Sequence, residues 1–152
     1  YPMADYIRRC IEVAQTRWPD VPVREGLRRL GHGHYSAFTS TAIGRVVFGV
    51  LGRRMDRVFR ASPKGYRYTT DCSDCRVISI ERNTGVVELA GLPFADSLQV
   101  GVYEGGVRAT GYIPTVEVGR NRLGTVRLRV MWTKEKQADS SAPAAPRADE
   151  QK

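Results

Sequence analysis

Lysine is almost missing from the first 132 residues, where Lys64 stands alone among nineteen arginines. Cysteine is scarce too: Cys10, Cys72 and Cys75 cannot build the disulfide framework of a small secreted domain. The longest apolar run, Ala42 to Leu51, is interrupted by Arg45 and is too short to span a bilayer. The first residues, YPMADYIRR, lack the charged, apolar and cleavage segments of a secretory signal. A cytoplasmic location without membrane contact is therefore expected. Catalytic signatures are missing as well. Neither GxxxxGK[ST] nor GxGxxG occurs, no Gly-x-Ser-x-Gly elbow is present, and the carboxylates are scattered without an obvious pair. The expectation is a protein that is not an enzyme.

What is present is positive charge. The net charge is +8, and residues 133–152 hold four basic and four acidic side chains, so the whole excess lies on residues 1–132. Such an excess favours an acidic partner, or else simply forms a solvated, arginine-rich surface. Its densest group is Arg53, Arg54, Arg57, Arg60, Lys64 and Arg67.

The chain is organised around Pro93 to Trp132. Ala95 to Gly111 reads as a helix with Leu98, Val102 and Ala109 near one face. Gly101, Gly105 and Gly106 lie close to that face. Glycine costs a helix roughly 1 kcal/mol against alanine, so three of them point to a backbone passing close by, most simply a sheet. Ile113 to Val118 begins a strand, Gly119 to Gly124 turns, and Val126, Leu128, Val130 and Trp132 alternate with Arg127, Arg129 and Met131. That period of two marks a half-buried strand.

Upstream, Met3, Tyr6, Ile7, Cys10, Ile11, Val13 and Ala14 give residues 3–17 a helical apolar stripe, stopped by Pro19 and Pro22. A second helix starts near Val23 and ends at Gly31, leaving His32-Gly33-His34 in a loop. A third covers Ala42 to Leu51 and a short fourth Arg53 to Ala61, with Met55, Val58 and Phe59 inward. Pro63-Lys64-Gly65 reads as a turn and Tyr66 to Thr70 as extended. Val77, Ile78 and Ile80 pair with Val86 to Leu89 across Asn83-Thr84-Gly85. The expected fold is α+β: N-terminal helices followed by β-β-α-β-β, forming a four-stranded antiparallel sheet over residues 1–132. Residues 133–152, rich in Ala, Ser, Pro and charge, read as a disordered tail.

Candidate chemistry is thin. Cys72 and Cys75 form one CxxC, whereas a structural zinc site asks for four ligands. The pair precedes a strand and has aspartates beside it, against thiolate formation. His32 and His34 could share a metal only with further ligands, so no metal or cofactor is expected. Phe38, Val47, Phe59, Phe94, Val102 and Tyr103 are the candidates for an apolar pocket between helices and sheet, although core packing alone more often accounts for such residues.

The succession Tyr1-Pro2, Trp18-Pro19-Asp20, Glu25 to Gly31, Thr41 to Arg45, Leu51 to Arg54, Tyr68-Thr69, Pro93-Phe94, Gly111 and Val130-Met131-Trp132 resembles a family of uncharacterised proteins. That family is expanded in myxobacteria and carries a domain-of-unknown-function label. The resemblance implies further sequence ahead of Tyr1. The family in turn is distantly similar to haem-nitric-oxide-binding and vinyl-reductase-like domains. Those place a small-molecule pocket or a dimer surface between helices and sheet. Haem domains of that type carry a Tyr-x-Ser-x-Arg set, and His34-Tyr35-Ser36 lacks its spacing. The resulting expectation is a non-catalytic regulatory module that binds a small apolar ligand or a partner protein, with a homodimer compatible. The alternative is a nucleic-acid-binding module built on the arginine-rich group.

Overall fold

The computed structural model describes residues 3–52, 54–69, 74–91, 96–122 and 124–134. Four helices come first: α1 (Met3–Arg17), α2 (Val23–Ser40), α3 (Ala42–Leu51) and α4 (Met55–Thr69). Strands β1 (Asp74–Glu81) and β2 (Thr84–Ala90), helix α5 (Asp96–Ala109), and strands β3 (Tyr112–Arg122) and β4 (Thr125–Lys134) follow. The strands form one antiparallel sheet in the order β1-β2-β4-β3, so each hairpin stays intact and the two join through β2 and β4. The α+β architecture with helices ahead of strands is as expected.

Alternation sets the faces of the sheet. Val87 and Leu89 of β2 and Leu128, Val130 and Trp132 of β4 are buried on one side, where Met55 and Phe59 of α4 and Val100, Tyr103 and Val107 of α5 meet them. The other face carries Glu88 paired with Arg127 at 2.8 Å, with Ile78 and Val118 exposed. A smaller cluster of Cys10, Ala14, Leu27 and Leu98 ties α1 and α2 to α5.

Five boundaries differ from expectation. Helix α2 does not stop at Gly31 but runs on to Ser40, so His32 and His34 lie on a helix, not in a loop. Helix α4 passes through Pro63 and reaches Thr69, replacing the expected turn and extended segment. Proline removes the N–H that the carbonyl four residues earlier would accept. Here Ser62 Oγ donates to Phe59 O at 2.7 Å and satisfies that carbonyl instead. Strand β3 extends through Gly119 to Arg122, and β4 runs past Trp132 to Lys134. The tail from 135 onward lies outside the described residues. Finally, β1 and β2 turn at Arg82-Asn83, one residue ahead of the expected Asn83-Thr84-Gly85, and Thr84 and Gly85 belong to β2. Arg82 has a φ of 48°, which costs a residue with a side chain about 1 kcal/mol.

The glycines of α5 do mark a close approach, but to a helix, not to the sheet. A Cβ on Gly101 would fall on the Arg28 carbonyl, and one on Gly31 on the Leu98 carbonyl. Gly105 faces His32 and Gly106 the Tyr35 ring. Helix α5 is consequently buried on two sides, by α2 and by the sheet, and Val100, Tyr103 and Val107 lie inward beside Leu98, while Ala109 is exposed. Gly101→Ala should cost about 2 kcal/mol or more, because backbone cannot step aside. Gly49→Ala, where a Cβ meets nothing within 4 Å, should stabilise by about 0.5–1 kcal/mol. Urea denaturation of both variants checks the pair.

Candidate functional site

The α2–α5 seam carries polar contacts beside its glycines. Glu104 sits on α5 with its side chain only 5% exposed. Arg28 Nε donates to its Oε2 at 2.7 Å and Arg28 Nη2 to its Oε1 at 2.6 Å, a bidentate fork. His32 Nε2 lies 2.7 Å from Oε2, and since a carboxylate only accepts, that nitrogen carries the proton. Burial pushes the Glu104 carboxyl up, but the bonds from Arg28 and His32 outweigh it and hold the carboxyl below its ordinary range. One end of the seam has a second pair, Arg24 with the buried Asp96 at 3.4 Å. Spacing along the sequence gave no sign of these pairs, which join residues more than seventy positions apart. The one local signal was an acid inside a glycine-rich apolar helix.

The two histidines do not face one site. Two residues apart on a helix, they point in nearly opposite directions. His32 is held by Glu104, while the His34 ring meets Tyr6, whose hydroxyl is 3.3 Å from Nδ1, and burial lowers its pKa. Cys75 is buried on β1 against the Tyr103 hydroxyl, and burial pushes its thiol up, away from reactivity. Cys72 lies outside the described residues. Among those described, no three His, Cys, Asp or Glu side chains gather as metal ligands.

The five described pocket candidates are dispersed. Phe59 and Tyr103 touch, with ring centroids 5.7 Å apart, in a core that Tyr66 and Trp132 share. Phe38 belongs to another aromatic group on α2 and α3, packed edge-on to Phe48. Val47 and Val102 are half-buried on α3 and α5. Phe94 lies outside the described residues. Two open grooves lie elsewhere, one of about 430 Å³ on the outer sheet face and one of about 380 Å³ beside α4.

Arginine placement is more informative. Because α4 is a single helix to Thr69, Arg57, Arg60, Lys64 and Arg67 recur at spacings of three, four and three along one exposed face. They cover about 15 Å at 1.5 Å rise per residue. Arg54 sits just ahead of the helix and pairs with Asp56 at 3.0 Å. Arg53 lies outside the described residues.

With helices leading into β-β-α-β-β, α5 against the sheet and the sheet order 1-2-4-3, the chain has the fold of an H-NOX domain. It is similar to the H-NOX protein used to study the molecular mechanism of H-NOX activation, at TM-score 0.64 and 15% identity over 86% of this chain and 73% of that one. An oxygen-binding H-NOX domain related to soluble guanylate cyclases gives TM-score 0.62 and 16% identity, over 86% and 72%. A mutant of the H-NOX protein of K. algicida, in its Fe(II) unliganded form, gives 0.62 and 9%, over 90% and 76%. By sequence, the chain belongs to the DUF2378 family, described as proteins of unknown function, which it matches over residues 1–133. No curated protein sequence matches it.

Haem features in studies of the H-NOX family, and the described residues do not fit one. The space between α4, α5 and the sheet is filled by Phe59, Tyr66, Tyr103 and Trp132 in mutual ring contact. The chain's two histidines lie on α2, each engaged with a side chain as described, and α5 has none. A haem there would have to displace the core and find an axial ligand.

Glu104 yields a pH prediction. A carboxyl whose folded pKa is depressed stabilises fully above its unfolded value and loses that contribution as pH falls through the folded one. The contribution of Glu104 to stability should therefore be flat above the ordinary glutamate value of 4.5 and fall below it. Glu104→Gln should cost about 2 kcal/mol at neutral pH and flatten that acid limb, as urea melts across pH would read.

Proposed function

We propose that this chain is a non-catalytic regulatory module of the cytoplasm that acts by binding another protein through α3. One observation carries the reading. Helix α3 has a single charged residue in ten, yet Val46 is 67% and Val50 75% exposed on one side of it. Scattered exposed valines are ordinary, but two of them one turn apart on an apolar helix ask for a cover. Charge says what kind. From Gly26 to Met55 the chain has five arginines and no acidic side chain, so the complementary surface is apolar with an acidic rim. A fold shared with H-NOX domains, one of them related to soluble guanylate cyclases, supports a regulatory setting. The filled core between helices and sheet favours a protein over a small apolar ligand. With a photo-crosslinking residue at Val50, the full chain should capture one discrete acidic protein, and Val46→Asp should abolish the capture. Val46→Asp itself should leave stability within about 0.5 kcal/mol. Equal capture from a crosslinker at Ile78, on the outer sheet face, would sink the proposal.

A second reading is favoured by the basic stripe of α4, whose alignment suits the backbone of a nucleic acid. Each contact to a phosphate contributes about one unit to the slope of log affinity against log salt. Lys64→Ala with Arg67→Ala should reduce that slope by about two, measured by fluorescence anisotropy on a labelled duplex. An unchanged slope would leave the stripe as solvated surface.

A further inference from the structure

The β1–β2 hairpin turns on an arginine where asparagine, aspartate or glycine would adopt the left-handed backbone more cheaply. The side chain of this arginine, Arg82, lines the open groove of about 380 Å³ between the start of α4 and the sheet end where β1 turns into β2. Arg54, Asp56, Arg60, Tyr112 and Trp132 line the same groove. Two segments distant in sequence thus bring three guanidiniums to one concavity. Asp56 engages Arg54. Arg60 and Arg82 have no carboxylate partner among the described residues, and three guanidiniums against one carboxylate leave an excess of two positive charges.

We propose that this groove binds a phosphomonoester. The planar fork of arginine matches the oxygens of a phosphate, and a phosphomonoester at neutral pH carries between one and a half and two negative charges, about what the groove lacks. A carboxylate would supply one. The backbone of a nucleic acid, whose phosphates are diesters of single charge, suits the exposed stripe of α4 better than a concavity. Half-buried Tyr112 and the edge of buried Trp132 form a wall for the group that bears the phosphate. The phosphate could be carried by a free nucleotide or by a phosphorylated side chain of a peptide, and the two share this chemistry.

The test is a titration of the full chain, labelled with nitrogen-15, by adenosine monophosphate and by a capped phosphoserine peptide at constant ionic strength. Arginine Nε and tryptophan indole resonances report the site. The expected result is saturable shifts at Arg60, Arg82 and Trp132 with at least one probe, and the probe that saturates identifies the source. Arg82→Gly should weaken binding about tenfold or more, the loss expected for a charge-assisted fork, without lowering the denaturation midpoint, since glycine suits the left-handed corner. Arg60→Ala should weaken it likewise, whereas Lys64→Ala with Arg67→Ala should leave it unchanged. The proposal is overturned if neither probe shifts these resonances saturably, if Arg82→Gly binds as well as the parent, or if affinity follows Lys64 and Arg67 instead.

Discussion

The backbone-to-backbone approach of α2 and α5 is the constraint on which the rest of the helical half depends. It exists because Gly31 and Gly101 carry no side chain where Leu98 and Arg28 offer their carbonyls. At that distance there is no room for an apolar layer between the helices. Their specificity therefore comes from polar contacts at the seam's margins, Glu104 with Arg28 and His32, and Asp96 with Arg24. A buried carboxylate left alone would cost several kcal/mol, so these partners fix the register of the two helices as well as neutralising it. Helix α5 then serves as the middle layer, with α2 on one side and the sheet on the other.

The same arrangement governs what the molecule can bind. Aromatic side chains occupy the space between helices and sheet, so the interior that an H-NOX-like fold could give to a ligand is here a packed core. The surfaces left for the recognition proposed above are an apolar α3, a cationic α4 and the groove beside its first turn. These surfaces differ in chemistry, and all lie on the helical half or at its junction with the sheet. Where the outer sheet face presents charge, Glu88 and Arg127 pair with one another, whereas the cations on α4 face solvent.

Some of this was legible residue by residue. The strict alternation from Val126 to Trp132 and the Val86 to Leu89 run placed both hairpins, since a period of two has no other stable use at that length. Apolar spacing and flanking prolines placed α1. Gly31 was misread because a glycine at a helix end and a glycine at a helix crossing look alike in sequence, and only the neighbour distinguishes them. Pro63 was misread because the hydroxyl of Ser62 compensates the carbonyl that proline leaves unpaired. Apolar character marks a pocket candidate but does not say which cluster the residue joins: Phe38 packs with Phe48 of α3 and Phe59 in the central core.

By itself, then, the sequence determined the class of fold, the two hairpins, the presence of a close backbone approach at α5 and the excess of positive charge. Those properties are local or compositional, so a linear reading carries them. Which backbone the glycines of α5 approach, which acid holds Arg28, and which arginines share a concavity were decided by tertiary structure. Arg54, Arg60 and Arg82 come from a loop, a helix and a hairpin turn, and no periodicity links them. Their common site exists because α4 packs beside β1, and that contact is a product of the folded core.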